Sequence, residues 1–309
     1  MFAYGPIPSR RFGRSVGVSP IPPKTCTYSC VYCQLGRTSK LTMTRESFFA
    51  PEQILKDIEV VIKSAEEKID FITFVGDGEP TLNKDLGSLI SHCRNSFPYK
   101  TAVITNGSLL WMDDVRDDLS GADVVNITLS VSDDDTFSIL HRPHRNLNFQ
   151  KVLDGVTKFA SFYKGEIWIE VMLVDGINTG KRAMKNLETI IDDLNPSNTF
   201  VMTPIRPPAE PWVKVPSKLK LIEAMSIFNG TKVTESENGA FGTEEFASAK
   251  EAIIETSLRH PLRIEQGRMM EDVFNEKVID TLLNTGVLES REYEGKIFIL
   301  PKNKERNKL

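Results

Sequence analysis

The chain has 309 residues, of which 40% are hydrophobic and 26% charged, a composition typical of a folded protein with one large domain and a small one. Its net charge of −4 excludes a uniformly basic protein that coats nucleic acid. No stretch approaches the ~20 consecutive apolar residues of a membrane span, and the first residues lack the apolar core of a secretion signal. We therefore expect a cytoplasmic protein without a membrane partner.

Positive charge is concentrated at the N-terminus. Residues 1–45 contain no acid and seven basic residues, which are Arg10, Arg11, Arg14, Lys24, Arg37, Lys40 and Arg45. Such a segment favours an anionic ligand or partner. The alternative is a solvated basic surface that acidic residues elsewhere balance.

Strand-like and helical runs alternate along the next part of the chain, joined by short turns. The predicted strands cover residues 15–18, 71–75, 102–105, 124–131, 167–173 and 200–203. The predicted helices between them cover residues 51–65, 86–95, 111–119, 149–162 and 182–194. This alternation is typical of a parallel sheet. Six such units predict an α/β fold with a partial (β/α)6 TIM-like barrel.

The pattern changes after residue 206. Residues 206–216 are rich in proline, and residues 233–242 are polar with two glycines, as in a linker. From residue 244 the sequence predicts a helix to 259, a short helix, a helix over 275–285 and two strands over 287–292 and 296–300. This is the order of a winged helix. We therefore predict a barrel domain over residues 1–232 and a winged-helix-like domain over residues 244–309.

Three of the four cysteines, Cys26, Cys30 and Cys33, fall within eight residues after the first predicted strand. Clustered thiols in a chain without a secretion signal indicate a metal site rather than disulfides. Four cysteines usually close an iron–sulfur cubane, so three leave one iron open to a substrate or cofactor, whereas a structural zinc needs a fourth ligand. Cys93 lies alone in a predicted helix, where a buried structural thiol is expected.

Polar and glycine-rich residues follow the next predicted strands: Gly76, Asp77, Gly78 and Glu79 after the second, Thr105 and Asn106 at the third, and Ser130 on the fourth. The carboxyl ends of barrel strands converge on one face, so we expect these residues to meet one ligand beside the cysteines. A plain surface loop is the alternative for Glu79, and a capped strand end is the alternative for Ser130.

The cysteine spacing, with the aromatic Tyr32 before the last cysteine, resembles the signature of the radical S-adenosylmethionine (radical SAM) superfamily. The glycine-rich segment and Thr105-Asn106-Gly107 also resemble motifs of that superfamily, although Asp77 is an insertion relative to its usual paired glycines. The resemblance implies a 4Fe-4S cluster on the three cysteines, with S-adenosylmethionine chelating the open iron. It also implies that Glu79 contacts the methionine ammonium and Ser130 the ribose.

The resemblance further implies the type of reaction. A reducing donor of the flavodoxin or ferredoxin type would supply an electron, and S-adenosylmethionine would be cleaved to a 5'-deoxyadenosyl radical that takes a hydrogen atom from substrate. In such enzymes the cofactors carry the hard step, while the protein orients the reactants.

Two further polar residues are candidates for catalysis. Glu170 lies in an apolar strand, where a carboxylate is costly unless it is paired or contacts a ligand. We favour a role inside the barrel over a buried structural ion pair. Arg206 follows the sixth predicted strand. His141 and His144 are spaced as metal ligands can be, but an anion contact or a turn is the favoured interpretation.

A narrower resemblance involves the PSRRFGRSVGV, CVYCQLGRT, HRPH and RPP segments. They are similar to the branch grouped with archaeal wyosine-type tRNA synthases. Those synthases carry extra cysteines for a second cluster, which Cys93 alone cannot supply, so this chain departs from them in the ligands that accompany tricyclic-base synthesis.

The substrate is predicted to be a macromolecule, recognised by a C-terminal module that takes no part in the radical step. Residues 244–309 contain eleven Lys and Arg against thirteen Asp and Glu, a net charge of −2. A module that neutralises phosphates should be basic, so a protein or peptide is preferred and RNA, as in wyosine-like tRNA modification, is the alternative. An iron–sulfur redox-sensing DNA-binding regulator is an alternative of another class, which leaves the glycine-rich motif unexplained.

Overall fold

A central sheet with helices on its outer face dominates the computed structural model, which describes residues 1–66, 68–232, 243 and 246–302. The strands are β1 (Ala3–Ser9), β2 (Gly13–Val18), β3 (Thr25–Cys26), β4 (Lys40–Leu41), β5 (Phe71–Phe74), β6 (Lys100–Thr105), β7 (Val124–Thr128), β8 (Glu166–Met172), β9 (Asn198–Met202), β10 (Thr231–Lys232), β11 (Leu262–Arg263), β12 (Leu288–Tyr293) and β13 (Lys296–Pro301). The α-helices are α1 (Pro51–Ser64), α2 (Leu86–Ser96), α3 (Asp113–Leu119), α4 (Asp134–His141), α5 (Phe149–Phe162), α6 (Lys181–Leu194), α7 (Lys218–Ile227), α8 (Ala249–Arg259), α9 (Ile264–Phe274) and α10 (Ile279–Asn284).

The sheet order is β1-β2-β5-β6-β7-β8-β9-β10. The seven strands from β2 to β10 run parallel, and β1 pairs with β2 in the antiparallel sense. Within the described residues β1 and β10 are the two edges, so the barrel is open. The predicted partial TIM-like α/β barrel is confirmed. Neither edge strand was predicted, because β10 has two residues and β1 contains glycine and prolines, which are uncommon inside strands.

Apolar periodicity and local capping explain most of the helices. Helix α1 has Pro51 in its first turn and buries one apolar stripe against the sheet. The Asn148 side chain caps α5 by accepting a hydrogen bond from the Lys151 N–H at 2.8 Å. Helix α4 was not predicted, because its Asp-rich start is typical of a loop. In the structure the Asp133 side chain caps this helix by accepting a hydrogen bond from the Thr136 N–H at 2.7 Å.

An apolar cluster fills the barrel near the starts of its strands. Phe12, from the turn between β1 and β2, is almost fully buried and stacks on Trp168 with ring centroids 4.9 Å apart. Its ring also meets the edge of Phe71, the first residue of β5, at 5.2 Å. The interior is therefore closed at this end, which leaves the carboxyl ends of the strands as the accessible end.

Helices α8 to α10 and strands β11 to β13 form a second, smaller core. The three strands pair in the order β11-β13-β12, all antiparallel. The predicted helices and strands of this part are present, with β11 as an additional short strand. The predicted linker over 233–242 lies outside the described residues, and the winged-helix-like domain stays a prediction. No helix in the described ranges is both long and apolar enough to cross a bilayer.

Candidate functional site

A cavity of about 330 Å³ lies at the carboxyl ends of the parallel strands. Its size is within the ~300–1,000 Å³ range of small-molecule sites. Every predicted site residue except Ser130 lines it, namely Cys26, Cys30, Tyr32, Cys33, Gly76, Asp77, Gly78, Glu79, Thr105, Asn106, Glu170 and Arg206. The structure therefore brings together residues that are up to 180 positions apart in the sequence.

The cysteine loop is held in place by the end of α4. The Val31 N–H donates to the Leu140 carbonyl at 3.0 Å, and the Ser29 N–H donates to the His141 carbonyl at 3.0 Å. In return, the His144 N–H donates to the Thr27 carbonyl at 2.8 Å. The HRPH segment thus positions the cysteines through its backbone.

Nitrogen atoms lie close to the sulfurs of Cys26 and Cys30. Cys26 Sγ accepts from the Tyr28 N–H at 3.5 Å and from Asn106 Nδ2 at 3.6 Å. Cys30 Sγ lies 3.4 Å from His141 Nδ1, which is also 3.3 Å from the Tyr32 hydroxyl. Burial lowers the pKa of His141 to about 3, so its imidazole is neutral. Burial also raises the pKa of the Cys26 thiol to about 12. Metal binding would have to displace this proton, since a coordinating thiol is deprotonated.

The donor set fits an iron–sulfur cluster. Three cysteine side chains, which would bind iron as soft thiolates, line one cavity, and N–H groups near the Cys26 sulfur could stabilise its negative charge. Within the described residues, no three His, Cys, Asp or Glu side chains converge as the ligands of one metal ion. A cubane does not need such convergence, because each thiolate binds a different iron.

Glu79 links two loops of the site. Its Oε1 accepts hydrogen bonds from the Thr81 N–H at 3.1 Å, the Thr81 hydroxyl at 2.6 Å and the Thr105 hydroxyl at 2.6 Å. Its Oε2 accepts from the Asn106 N–H at 2.8 Å. Burial raises the pKa of this carboxyl, and these hydrogen bonds partly offset the effect. Glu79 is therefore an oriented carboxylate at the cavity wall rather than part of a plain surface loop.

The glycines beside Glu79 are required by close approach and by backbone conformation. A Cβ at Gly78 would lie 1.9 Å from the carbonyl oxygen of Thr25, the residue before Cys26. Gly76 has φ of +62°, a region that favours glycine. The glycine-rich turn therefore packs directly against the start of the cysteine loop.

Two predicted cofactor contacts have other partners in the structure. Ser130 is fully buried, and its hydroxyl accepts from the Met172 N–H at 2.9 Å. This contact matches the alternative of a capped strand end, and Thr128, the last residue of β7, lines the cavity instead. Asp77 lines the cavity, but its Oδ2 lies 3.5 Å from Arg259 Nε.

The two candidate catalytic residues are both anchored at the cavity wall. Glu170 forms an ion pair with Arg11 and accepts a hydrogen bond from Asn126 Nδ2 at 3.2 Å. It therefore combines the two interpretations weighed from the sequence, since it faces the cavity and is also paired. Arg206 Nη1 donates to Gln34 Oε1 at 3.1 Å.

Sequence reasoning missed Gln34 and His260, which line the cavity. Arg11, which also lines it, was considered only as part of the basic segment, and His141, which lies behind the cysteines, only as a metal ligand, an anion contact or a turn. Gln34 could have been found because it directly follows Cys33. No sequence signal singles out His260, since it comes from the far C-terminal part of the chain.

Residues 21–185, just over half of the chain, match the family model of the radical SAM superfamily. A protein of Methanocaldococcus jannaschii named UPF0026 is 37% identical over 99% of this chain and 98% of its own length.

Solved structures share the fold. A radical SAM methyltransferase from Sphaerobacter thermophilus has a TM-score of 0.56 at 16% identity, covering 73% of this chain and 67% of its own. SuiB of Streptococcus suis, solved with the precursor peptide SuiA bound, has a TM-score of 0.52 at 16% identity, covering 70% of this chain and 48% of its own. The narrower likeness to wyosine-type synthases stays a prediction. The family match and the full-length relative agree with the motifs gathered at the cavity, and the chain therefore belongs to the radical SAM superfamily and to its UPF0026 family.

Proposed function

We propose that the chain is a cytoplasmic radical SAM enzyme that modifies a macromolecule, with protein or peptide preferred. Cys26, Cys30 and Cys33 would hold a 4Fe-4S cluster, and the adjoining cavity would hold S-adenosylmethionine. When bound and reduced by an external donor, these groups supply a 5'-deoxyadenosyl radical. The observation that carries the proposal is that the three cysteines share one cavity with the oriented carboxylate of Glu79.

The residues around the cavity would bind and orient the reactants. Glu79 is placed to accept a charge-assisted hydrogen bond from the methionine ammonium. Glu170, held by Arg11 and Asn126, has a fixed orientation and is suited to accepting a hydrogen bond from substrate. Arg206, held by Gln34, offers a cation at the same wall.

The proposed activity predicts a specific product. Anaerobically reconstituted, reduced protein should convert S-adenosylmethionine to 5'-deoxyadenosine, which chromatography with mass detection would quantify. Protein that carries a full cluster and forms none of this product under reducing conditions would contradict the proposal. That result would instead favour an iron–sulfur regulator, because a sensor needs no turnover.

Internal ion pairs support the preference for a protein or peptide substrate. At least four of the seven basic residues before position 46 pair with acids of the same chain, namely Arg11 with Glu170, Arg37 with Glu210, Lys40 with Glu46, and Arg45 with Asp114 and Asp118. Much of the N-terminal positive charge is thus balanced within the protein. The C-terminal part has a net negative charge, so neither region presents a strong field for phosphates.

Salt dependence separates the two substrate classes. If RNA were bound through six phosphate contacts, affinity would fall about a hundredfold or more between roughly 50 and 200 mM salt. We expect only weak binding of cellular RNA by the full-length protein at both salts, as measured by a fluorescence anisotropy titration. Heparin serves as a control for general attraction of polyanions. Tight binding of RNA, but not heparin, that weakens steeply with salt would overturn the peptide preference.

A further inference from the structure

The end of helix α8 reaches the barrel at the glycine-rich turn. Arg259, its last residue, places Nε 3.5 Å from Oδ2 of Asp77. The side chains are only 12% and 13% exposed, so water screens this ion pair little. Asp77 is the residue that separates Gly76 from Gly78 and Glu79, and the pair therefore joins the C-terminal part to the predicted cofactor loop.

Arg259 is itself fixed by contacts on several sides. Its Nη2 donates to the Met1 carbonyl at 3.0 Å, and its guanidinium lies over the Tyr4 ring at 5.1 Å. Its own carbonyl accepts from Gln34 Nε2 at 3.0 Å, so the residue also touches the cysteine loop. The next residue, His260, lines the cavity at the carboxyl ends of the parallel strands, which is called the main cavity below. One short segment of the C-terminal part thus contacts both loops that form the site.

The glycine-rich turn has a second cavity behind it. This cavity has a volume of about 290 Å³ and is lined by apolar residues together with the polar or charged residues Ser19, Lys24, Asp77, Glu255 and Arg259. Asp77 also lines the main cavity. Gly78 packs against Thr25, but the Asp77 side chain lies between the two cavities, where close packing alone does not fix it. Two backbone hydrogen bonds hold Asp77: its N–H donates to Ser19 Oγ at 2.9 Å, and its carbonyl oxygen accepts from the Lys24 N–H at 2.6 Å. The ion pair with Arg259 holds its side chain.

We propose that Arg259 is a positioning residue for the cofactor loop: by pairing with Asp77 it holds the glycine-rich turn, and with it Glu79, in the geometry that binds S-adenosylmethionine. This inference rests on the proposed function. It assigns a purpose to the inserted Asp77. The inference also differs from the expectation that the C-terminal part only recognises substrate. Removing the C-terminal part would remove Arg259 and so release a loop of the cofactor site.

The test uses the full-length protein with Arg259→Gln, which removes the charge and keeps much of the side-chain bulk. Hydrogen–deuterium exchange of peptides covering residues 76–82 reports the mobility of the turn without any cofactor. We expect exchange there to become about tenfold faster or more, because local opening is no longer opposed by the pair. The dissociation constant for S-adenosylmethionine, measured by equilibrium dialysis on reconstituted protein, should rise by about three- to thirtyfold, since only part of the site is lost.

Two further variants keep the test specific. Arg268→Gln is the matched control, because Arg268 pairs with Glu271 and Asp280 inside the C-terminal part and should change neither readout. The double variant Asp77→Asn/Arg259→Gln removes both charges of the pair, so neither is left buried without its partner. Its changes in exchange and in affinity should therefore be smaller than the sum of the changes in the two single variants. If Arg259→Gln is unstable, Arg259→Lys, which keeps the charge, should give a smaller change than the double variant.

Unchanged exchange over residues 76–82 in Arg259→Gln, or an equal change in Arg268→Gln, would overturn the inference. The proposed function fails separately: wild-type protein that does not bind S-adenosylmethionine would contradict it, while the exchange measurement would still decide whether Arg259 holds the turn.

Discussion

Replacing Cys26, Cys30 or Cys33 with Ala is expected to abolish the iron–sulfur cluster. Anaerobically reconstituted wild-type protein should hold about four irons per chain, whereas each variant should hold close to none, because two thiolates cannot close the cubane. Iron and sulfide analysis, together with the electron paramagnetic resonance spectrum of the reduced protein, measures this loss. Formation of 5'-deoxyadenosine should disappear with the cluster.

Cys93→Ala provides the matched control. Cys93 is fully buried in α2 and outside the cavity, and burial raises its pKa to about 12. Iron content and spectrum should stay as in the wild type. Loss of the cluster in Cys93→Ala, with the other three cysteines intact, would show that the ligand assignment is wrong.

The second large effect is expected for Glu79→Ala. A charge-assisted hydrogen bond to the ammonium of S-adenosylmethionine is worth roughly 1.5 to 3 kcal/mol, so the dissociation constant should rise about 10- to 150-fold. The variant also releases the Thr105 hydroxyl and the Asn106 N–H, which now bond to this carboxylate. The iron content should survive, because no thiolate is removed.

Thr81→Val separates direct binding from loop anchoring. It removes one hydroxyl donor to Glu79 Oε1 and leaves the carboxylate in place. We expect its affinity for S-adenosylmethionine to remain within a few-fold of the wild type, because the carboxylate keeps its hydrogen bonds from the Thr105 hydroxyl and the Asn106 N–H. If Glu79→Ala bound and cleaved S-adenosylmethionine normally, the glycine-rich motif would be only a loop. If Thr81→Val lost as much affinity for S-adenosylmethionine as Glu79→Ala, the role of Glu79 would be to anchor the loop and not to contact the ammonium.

The local pattern of the sequence predicted the central features of the protein. Alternating apolar strands and amphipathic helices predicted the partial barrel, because each element carries its own periodicity. Helix α5, for example, begins and ends at the predicted residues. The spacing of the cysteines placed the candidate cluster ligands on one loop. The rule that strand ends converge then predicted that Glu79 and Asn106 would lie beside them.

Only the tertiary structure decided which partners these residues have. In the sequence, Ser130 and Glu79 are both polar residues near strand ends. In the structure the Ser130 hydroxyl accepts a hydrogen bond from the Met172 N–H, whereas Glu79 lines the cavity. The Arg11–Glu170 and Asp77–Arg259 pairs join positions 159 and 182 residues apart. Such contacts leave no periodic signal, because they depend on how completed elements pack. The sequence therefore determined the barrel and the chemistry of its cysteine loop, whereas packing decided that the C-terminal part contributes to the same cavity.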